Sequence, residues 1–457
     1  MKKTLALLLA MLMLTSVFAA CQQAPASSVA PASSGAPASA SAPSSEAPAE
    51  PVKLDFWFEG AGPERTVIYE KMINDFNALD NNITIEGSYL DITNGIDKLN
   101  TAWAGNGMPD LVTAMGSWMS SMFAQGMCLQ VDELFDAWEE RSQFDEIHVV
   151  SVRDMDAKGR LFAVPIDSNL NGIWYRKDIF ADKGLEPPTT WDNFFTAVEA
   201  LTGTNDAGMP VYGHTLRGGS GNTKQFINVI ISYAGYDSYW SDDNKAQILR
   251  SPEAIEICQK FVDLFAQKQT PDSALNDGFN EMIANFNAEV AHTMIHNLGS
   301  YENQRQTFTP DQYAFTPFPV AKNGKLTAMV ETAKSVAIVA TTKYPDQCWE
   351  FVKHHASMQN VSDYNEAVGE LPSRIDSAAQ GWMEEAPHMT ELPKYASTDK
   401  LIVSIPTYIP DYNSIQNEYA VAAFQEMLVA KISPEEFLTG WAEKIEAAYE
   451  EYLANAK

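Results

Sequence analysis

Residues 53–112 switch back and forth between two periods of apolar residues. Lys53-Leu54-Asp55-Phe56-Trp57-Phe58 reads as a strand, and Glu59-Gly60-Ala61-Gly62 as the loop that leaves it. Over 64–76 the spacing becomes helical, with Ile68, Met72, Ile73 and Phe76 on one face. Ile83-Thr84-Ile85-Glu86-Gly87-Ser88-Tyr89 returns to the strand pattern and 96–104 to helix, which leads into 105–112. Such alternation predicts a parallel α/β sheet, whose ligands sit at loops beyond the carboxyl ends of the strands. Trp57, Glu59, Gly116, Ser117 and Trp118 fall at such ends and are nominated as ligand-contacting on that ground.

The apolar run Leu161-Phe162-Ala163-Val164 ends at Pro165, where a strand must stop pairing. Ile166-Asp167-Ser168-Asn169 reads as a polar turn and Gly172-Ile173-Trp174-Tyr175 as a second strand. A short helix from Arg176 stops at Lys183-Gly184, a basic last turn and a glycine cap. Thr190 is the N-cap of a helix over 191–201. Further on the pattern predicts helices over 225–233 and 347–353 and a strand over 336–340. Ser251-Pro252 opens a helix with Ile255, Cys258, Val262 and Phe265 facing inward. Ser433-Pro434-Glu435-Glu436 is a capping box for the helix that closes the chain.

Gly159, Phe162, Val164-Pro165, Trp174-Tyr175, Lys177-Asp178, Gly184-Leu185, Pro188 and Thr190-Trp191, in this order, resemble a segment of the family 1 extracellular solute-binding proteins. These are the maltose-binding-protein-like lipoproteins that capture sugars for ABC importers. Arg176 departs from the family's usual asparagine, and Asn287-Ala288-Glu289 from its Gly-Lys-Ala. Gly105 to Val112, Phe123 to Leu129, 279–300, 336–353 and Val368 to Arg374 carry the resemblance across 54–374. It implies a two-lobed α/β periplasmic-binding-protein-like fold of type II, with a hinge and a cleft between lobes that exchange chain more than once. Lobe 1 is expected at 52–166 with 317–370, and lobe 2 at 167–316 with 371–457. The resemblance also points to Asn297, Gly299 and Glu331 as ligand-contacting, and to a permease with its ATPase as partners.

The first residues carry a separate message. Lys2-Lys3 precedes an apolar stretch over 5–14, too short for a bilayer span of about 20 residues. Phe18-Ala19-Ala20-Cys21 resembles a lipobox, with Phe18 where leucine is usual; this expects a leader over 1–20 and lipidation at Cys21. The alternative is an ordinary secretory signal cut after Ala20. Residues 22–51 are almost wholly Ala, Pro and Ser, which bury too little apolar surface to offset chain entropy and form a disordered, extended tether. The expectation is a protein anchored to the outer face of the cytoplasmic membrane of a single-membrane bacterium.

Composition narrows the rest. About 400 of the 457 residues remain for folding, enough for two lobes. Sixty acidic against 31 basic residues, a net charge of −29, repel nucleic acid and argue against a phosphorylated ligand. Cys128, Cys258 and Cys348 stand too far apart to suggest a disulfide framework or a metal site, and read as small buried hydrophobes. His292 and His296 are spaced for zinc, but Thr293 occupies the position of the protease glutamate, so no metal or other cofactor is expected. The loop 217–222 lacks the phosphate-binding lysine and the nucleophile elbow, and reads as a plain glycine-rich loop.

Aromatic content of 11%, including ten Trp, suits a carbohydrate cleft. Trp57, Trp118 and Trp240 offer flat faces to a sugar ring, Trp174 fits a core strand better, and Tyr408 and Tyr412 flank Pro410 near the cleft mouth. Asp167 and Asn169 can pair with adjacent hydroxyls, or else stabilise a turn through an Asx motif. The combined reading is a monomeric, non-enzymatic carbohydrate-binding lipoprotein that closes around its ligand. Two alternatives stay open: an aromatic cage for a quaternary amine, and a carbohydrate-active enzyme using Glu59 with Asp167 as paired carboxyl groups.

Overall fold

The structure is a computed structural model, and it describes residues 51–60, 63–92, 94–156, 158–328, 330–331, 334–386, 388–389 and 400–455. The expected leader, Cys21 and nearly all of the expected tether lie outside the described residues. In chain order the strands are β1 (Val52–Gly60), β2 (Ile83–Asp91), β3 (Leu111–Ala114), β4 (Val164–Pro165) and β5 (Asp167–Tyr175). Next come β6 (Gly203–Thr204), β7 (Pro210–Val211), β8 (Thr293–Asn297) and β9 (Ala314–Pro317). The last are β10 (Leu326–Ala328), β11 (Val330–Glu331), β12 (Ser335–Ile338), β13 (Leu371–Pro372) and β14 (Lys400–Ile402).

The first lobe is built on a sheet of order β2-β1-β3-β12-β4. β1 runs parallel to β2 and β3, whereas β12 enters antiparallel between β3 and β4. Phe56 and Phe58 of β1 bury against the helix Pro63–Asn77, whose Tyr69, Met72, Ile73 and Phe76 face inward. The core of this lobe draws on residues 54–166 and then on 336–368.

The second lobe is organised around β5. Its first half pairs with β13 and β11, its second half with β8 and β9, and all four neighbours are antiparallel. The polar run Asp167-Ser168-Asn169, expected as a turn, is therefore the start of a nine-residue strand. A strand with partners on both edges satisfies its backbone through the ladder, and tertiary pairing overrides turn propensity. The core of this lobe spans Ile173 to Phe318 and resumes from Val403 to Ile445, with a smaller cluster around Trp174. Its helices follow the sequence closely. Thr190 Oγ1 accepts from Asn193 N at 3.1 Å, Ser251 Oγ from Ala254 N at 3.0 Å, and Ser433 and Glu436 close the expected capping box.

Three passages of chain between the lobes lie side by side. Ile166 N donates to Lys334 O at 2.9 Å, and Ser373 N donates to Ile166 O at 3.3 Å. Phe318 packs in the second core, while Arg374 lies over Phe144 and Trp138 of the first and donates to Glu140 Oε2 at 2.7 Å. Among the described residues no helix is long and apolar enough to cross a membrane.

Candidate functional site

The lateral stacking of the three passages brings charged residues from distant parts of the sequence into one buried cluster. Arg65 donates to Glu59 at 3.3 Å, to Glu370 at 2.8 Å and to the Tyr364 hydroxyl at 2.6 Å. Tyr364 in turn donates to Glu59 at 3.0 Å. Lys334 binds Asp167 through both its backbone N–H and its ammonium, each at 2.6 Å, and also donates to Glu370. Asn169 completes the set by donating to Glu370 at 3.2 Å.

Burial and the adjacent Glu370 outweigh Lys334 and push the Asp167 carboxyl well above its ordinary range. Burial acts on Glu370 too, but Arg65 and Lys334 overcome it and hold that carboxyl well below its ordinary range. The pair titrates as a unit in which Glu370 carries the charge and Asp167 keeps a proton more readily. Gly299 belongs to the same place: a Cβ there would stand 3.1 Å from Glu370 Oε1 and 3.2 Å from Asn297 Oδ1. A side chain at 299 would crowd those two groups, which would have to give by a few tenths of an ångström.

Beside this cluster a cavity of about 550 Å³ opens between the lobes. The first lobe supplies Met115 and Gly116 at the end of β3, then Ile147, Val150, Ser151 and Asp154 from the segment of the helix Glu146–Arg153. Asp167, Asn169 and Lys334 form its hinge side. The second lobe supplies Arg217 from the glycine-rich loop and Lys224, Ile227 and Asn228 from one face of the helix Asn222–Ala234. Tyr412, Asn413 and Gln416 come from a helix whose ladder widens into a π-turn over Gln416–Ala420. Such turns shift the phase of a helix and recur at functional sites. Across the opening Ser404 donates to Asp154 and the Thr407 hydroxyl meets the Met155 sulfur at 3.4 Å, so the two lobes touch.

Three amides lining the cavity carry a buried side-chain oxygen without a hydrogen-bond partner: Asn169, Asn228 and Gln416. Their nitrogens are engaged, Asn228 with Lys224 O at 3.0 Å and Gln416 with the Tyr412 hydroxyl at 2.8 Å. A buried acceptor left open costs free energy until a donor arrives. Hydroxyl groups are suitable donors.

The residues nominated from sequence divide accordingly. Gly116, Asp167 and Asn169 line the cavity; Glu59 and Gly299 belong to the hinge cluster behind it. Ser117 lies in the first turn of the helix Gly116–Ala124, and Glu331 sits opposite Asn169 in the β11–β5 ladder. Asn297 ends β8 and accepts on its carbonyl from the Trp174 indole at 3.0 Å. The tryptophans are placed elsewhere. Trp118 is core, packed so closely on Gly95 that a Cβ there would fall 2.4 Å from its ring. The ring of Trp57 lies under the Lys98 ammonium at 4.3 Å. Trp240 donates to the Tyr408 hydroxyl at 3.0 Å and stacks on Tyr449 at 4.1 Å, in a satellite of the second core. Trp118 is buried, Trp57 and Trp240 are half-buried with one face covered, and none of the three lines the cavity.

The sequence reading did not single out Arg65, Lys334, Tyr364, Asn228 or Gln416. Asn228 had a signal, a lone amide within the apolar run Phe226-Ile227-Asn228-Val229-Ile230. Gln416 had none, because the π-turn that orients it follows no local period.

A profile of the family described as bacterial extracellular solute-binding protein matches residues 62–361, well over half of the chain. The chain belongs to this family. Among curated proteins it is similar to the multiple sugar-binding protein of Streptococcus mutans, 24% identical over 249 residues, covering 53% of this chain and 57% of that one. It is also similar to the mannitol-binding protein of Pseudomonas aeruginosa, 25% identical over 250 residues, covering 52% and 56%. The matches thus span little more than half the length of these relatives. The sugar-binding protein MalE from Xanthomonas citri superposes on 89% of this chain and 100% of its own, with a TM-score of 0.73 at 15% identity. The GacH receptor of Streptomyces glaucescens superposes on 87% and 98%, with a TM-score of 0.70 at 17% identity. At these identities the likeness establishes the two-lobed fold of this solute-binding protein.

Proposed function

We propose that this protein is the carbohydrate-binding lipoprotein of an ABC importer, capturing an oligosaccharide between its lobes and delivering it to a membrane permease coupled to an ATPase. The observation that carries the reading is the interlobe cavity with open amide acceptors at Asn169, Asn228 and Gln416, arranged for a ligand rich in hydroxyl donors. The names of the relatives from S. mutans and P. aeruginosa support a sugar or polyol. Because the cavity is lined from both lobes and from the hinge, a ligand filling it stabilises the closed arrangement over the open one. A lipid on Cys21 and the Ala/Pro/Ser tether would hold the protein on the outer face of the cytoplasmic membrane, as a monomer beside its permease. The amine alternative has little to build on: Tyr412 is the one aromatic residue among the described residues lining the cavity, where an aromatic cage needs several.

Thermal-shift screening of the purified protein against mono- and oligosaccharides, with amines and amino acids as controls, tests this. A ligand at a hundred times its Kd adds about 2.7 kcal/mol to stability, enough to move the melting temperature measurably. A saturable rise with one glycan class, the glycan recovered intact, is the expected result. A response to amines alone, or recovery of cleaved glycan, contradicts it.

A further inference from the structure

The first-lobe wall of the cleft carries a run of aliphatic and thioether side chains, and the second-lobe wall carries the amides and cations. On the helix Glu146–Arg153 His148, Val149 and Val152 bury in the first core, while Ile147, Val150, Ser151 and Asp154 run along the cleft at helical spacing. This helix therefore presents apolar residues on two faces, one toward the core and one toward the cavity. Met115 and Met155 extend the cavity face, and Ile92 stands at its rim. Ile92 and Val150 are 37% and 38% exposed, among the few large hydrophobic side chains left so accessible. Opposite them the second lobe presents Asn228, Asn413 and Gln416 and the cations Arg217 and Lys224, interspersed with Ile227, Val403, Ile405 and Tyr412.

An accessible aliphatic surface is unfavourably hydrated until something apolar covers it. A plain sugar covers it poorly, because its hydroxyls ring the molecule and its small apolar face suits a flat aromatic platform. Here the wall is aliphatic and thioether. Methionine adapts its shape to irregular apolar groups.

We propose that the ligand is a glycoside carrying an apolar substituent, an alkyl, aryl or acyl group. The substituent lies against Ile92, Ile147, Val150 and Met155 while the sugar hydroxyls meet Asn228 and Gln416. This rests on the carbohydrate reading above and specifies its substrate class.

The test is titration calorimetry of the purified protein with matched methyl and phenyl glycosides of glucose, galactose, mannose, xylose and maltose. For the sugar that binds, the phenyl glycoside is expected to bind at least tenfold more tightly than the methyl glycoside. It should also show a more negative heat-capacity change. In the double variant Ile92→Ser/Val150→Ser the difference between the two glycosides should shrink to within twofold. Both side chains are exposed, and an unchanged circular-dichroism melt verifies the fold. Saturable binding of both glycosides with equal affinity in the unmodified protein overturns this inference and leaves the carbohydrate reading intact. A difference that persists in the double variant places the apolar group elsewhere and overturns it too. Silence from every glycoside in a protein that gives a thermal shift with an unmodified glycan overturns this inference and leaves the carbohydrate reading intact, and silence in both assays removes both.

Discussion

The hinge cluster and the second-lobe wall of the cleft lie side by side, and both are rich in buried polar groups. At the hinge, Arg65 and Lys334 tie together Glu59, Asp167 and Glu370, drawn from β1, β5 and the segment before β13. On the wall, Asn228 and Gln416 each hold one hydrogen bond through the amide nitrogen and leave the oxygen open. The hinge carboxyl groups each hold at least one cation or phenol inside the protein, whereas the two wall amides leave their oxygens for a ligand to complete. A buried charge without its partner is too costly to hold ready for a ligand that comes and goes, whereas an open amide oxygen is not. This division gives Glu59 and Asp167, the carboxyl pair an enzymatic reading would use, defined ion-pairing roles.

The contrast predicts which substitutions damage folding and which damage binding. Arg65→Met leaves Glu59 and Glu370 without their shared cation, and should lower the unfolding free energy by about 3–5 kcal/mol. A urea midpoint shift at unchanged slope would show it; a midpoint equal to that of the parent protein would mean the cluster is not held as described. Trp118→Leu should destabilise by roughly 2–3 kcal/mol through the cavity left above Gly95, with glycan affinity unchanged. A large loss of affinity in a protein of near-normal stability would return that tryptophan to the binding site.

Acid should act on both lobes together. Burial pushes His355 in the first core and His214 in the second down to about 3. Both stay neutral in the fold, whereas the unfolded chain takes up protons near pH 6.5. Their contribution is therefore complete above that pH and is lost as pH falls toward 3, at about 1.4 kcal/mol per unit for each histidine. Calorimetry at pH 7.5 and 5 should show a lower melting temperature at the lower pH in a single transition. Splitting into two transitions would mean the lobes differ in acid sensitivity. The smallest effect on folding belongs to Asn228→Ala, which should weaken glycan binding about tenfold, near 1.4 kcal/mol, while stability changes by less than about 1 kcal/mol.

Much of the fold was legible because its elements follow local rules. The strand–helix alternation of 53–112, the caps at Thr190 and Ser251 and the capping box at Ser433 depend on neighbours a few residues apart. The polar start of β5 was misread as a turn because its strand character comes from β11 and β13, far along the chain. The site was less legible for the same reason. Gly116 was nominated from a strand end and Asp167 and Asn169 from the expected turn after Pro165, but Arg65 meets Glu370 across 305 positions and the tether of Lys334 to Asp167 spans 167. The tryptophans misled because a large flat ring serves a core as well as it serves a sugar. Sequence carries the ring and not its exposure.

The most direct test of the central claim is a crystal structure of the protein with the glycan giving the largest thermal shift. The glycan should lie between the lobes, with its hydroxyls donating to Asn228 Oδ1 and Gln416 Oε1, and with the Arg65–Glu370 and Lys334–Asp167 pairs unbroken. A glycan bound outside this cleft, or one held by Asp167 and Glu370 after release from their cations, would contradict it.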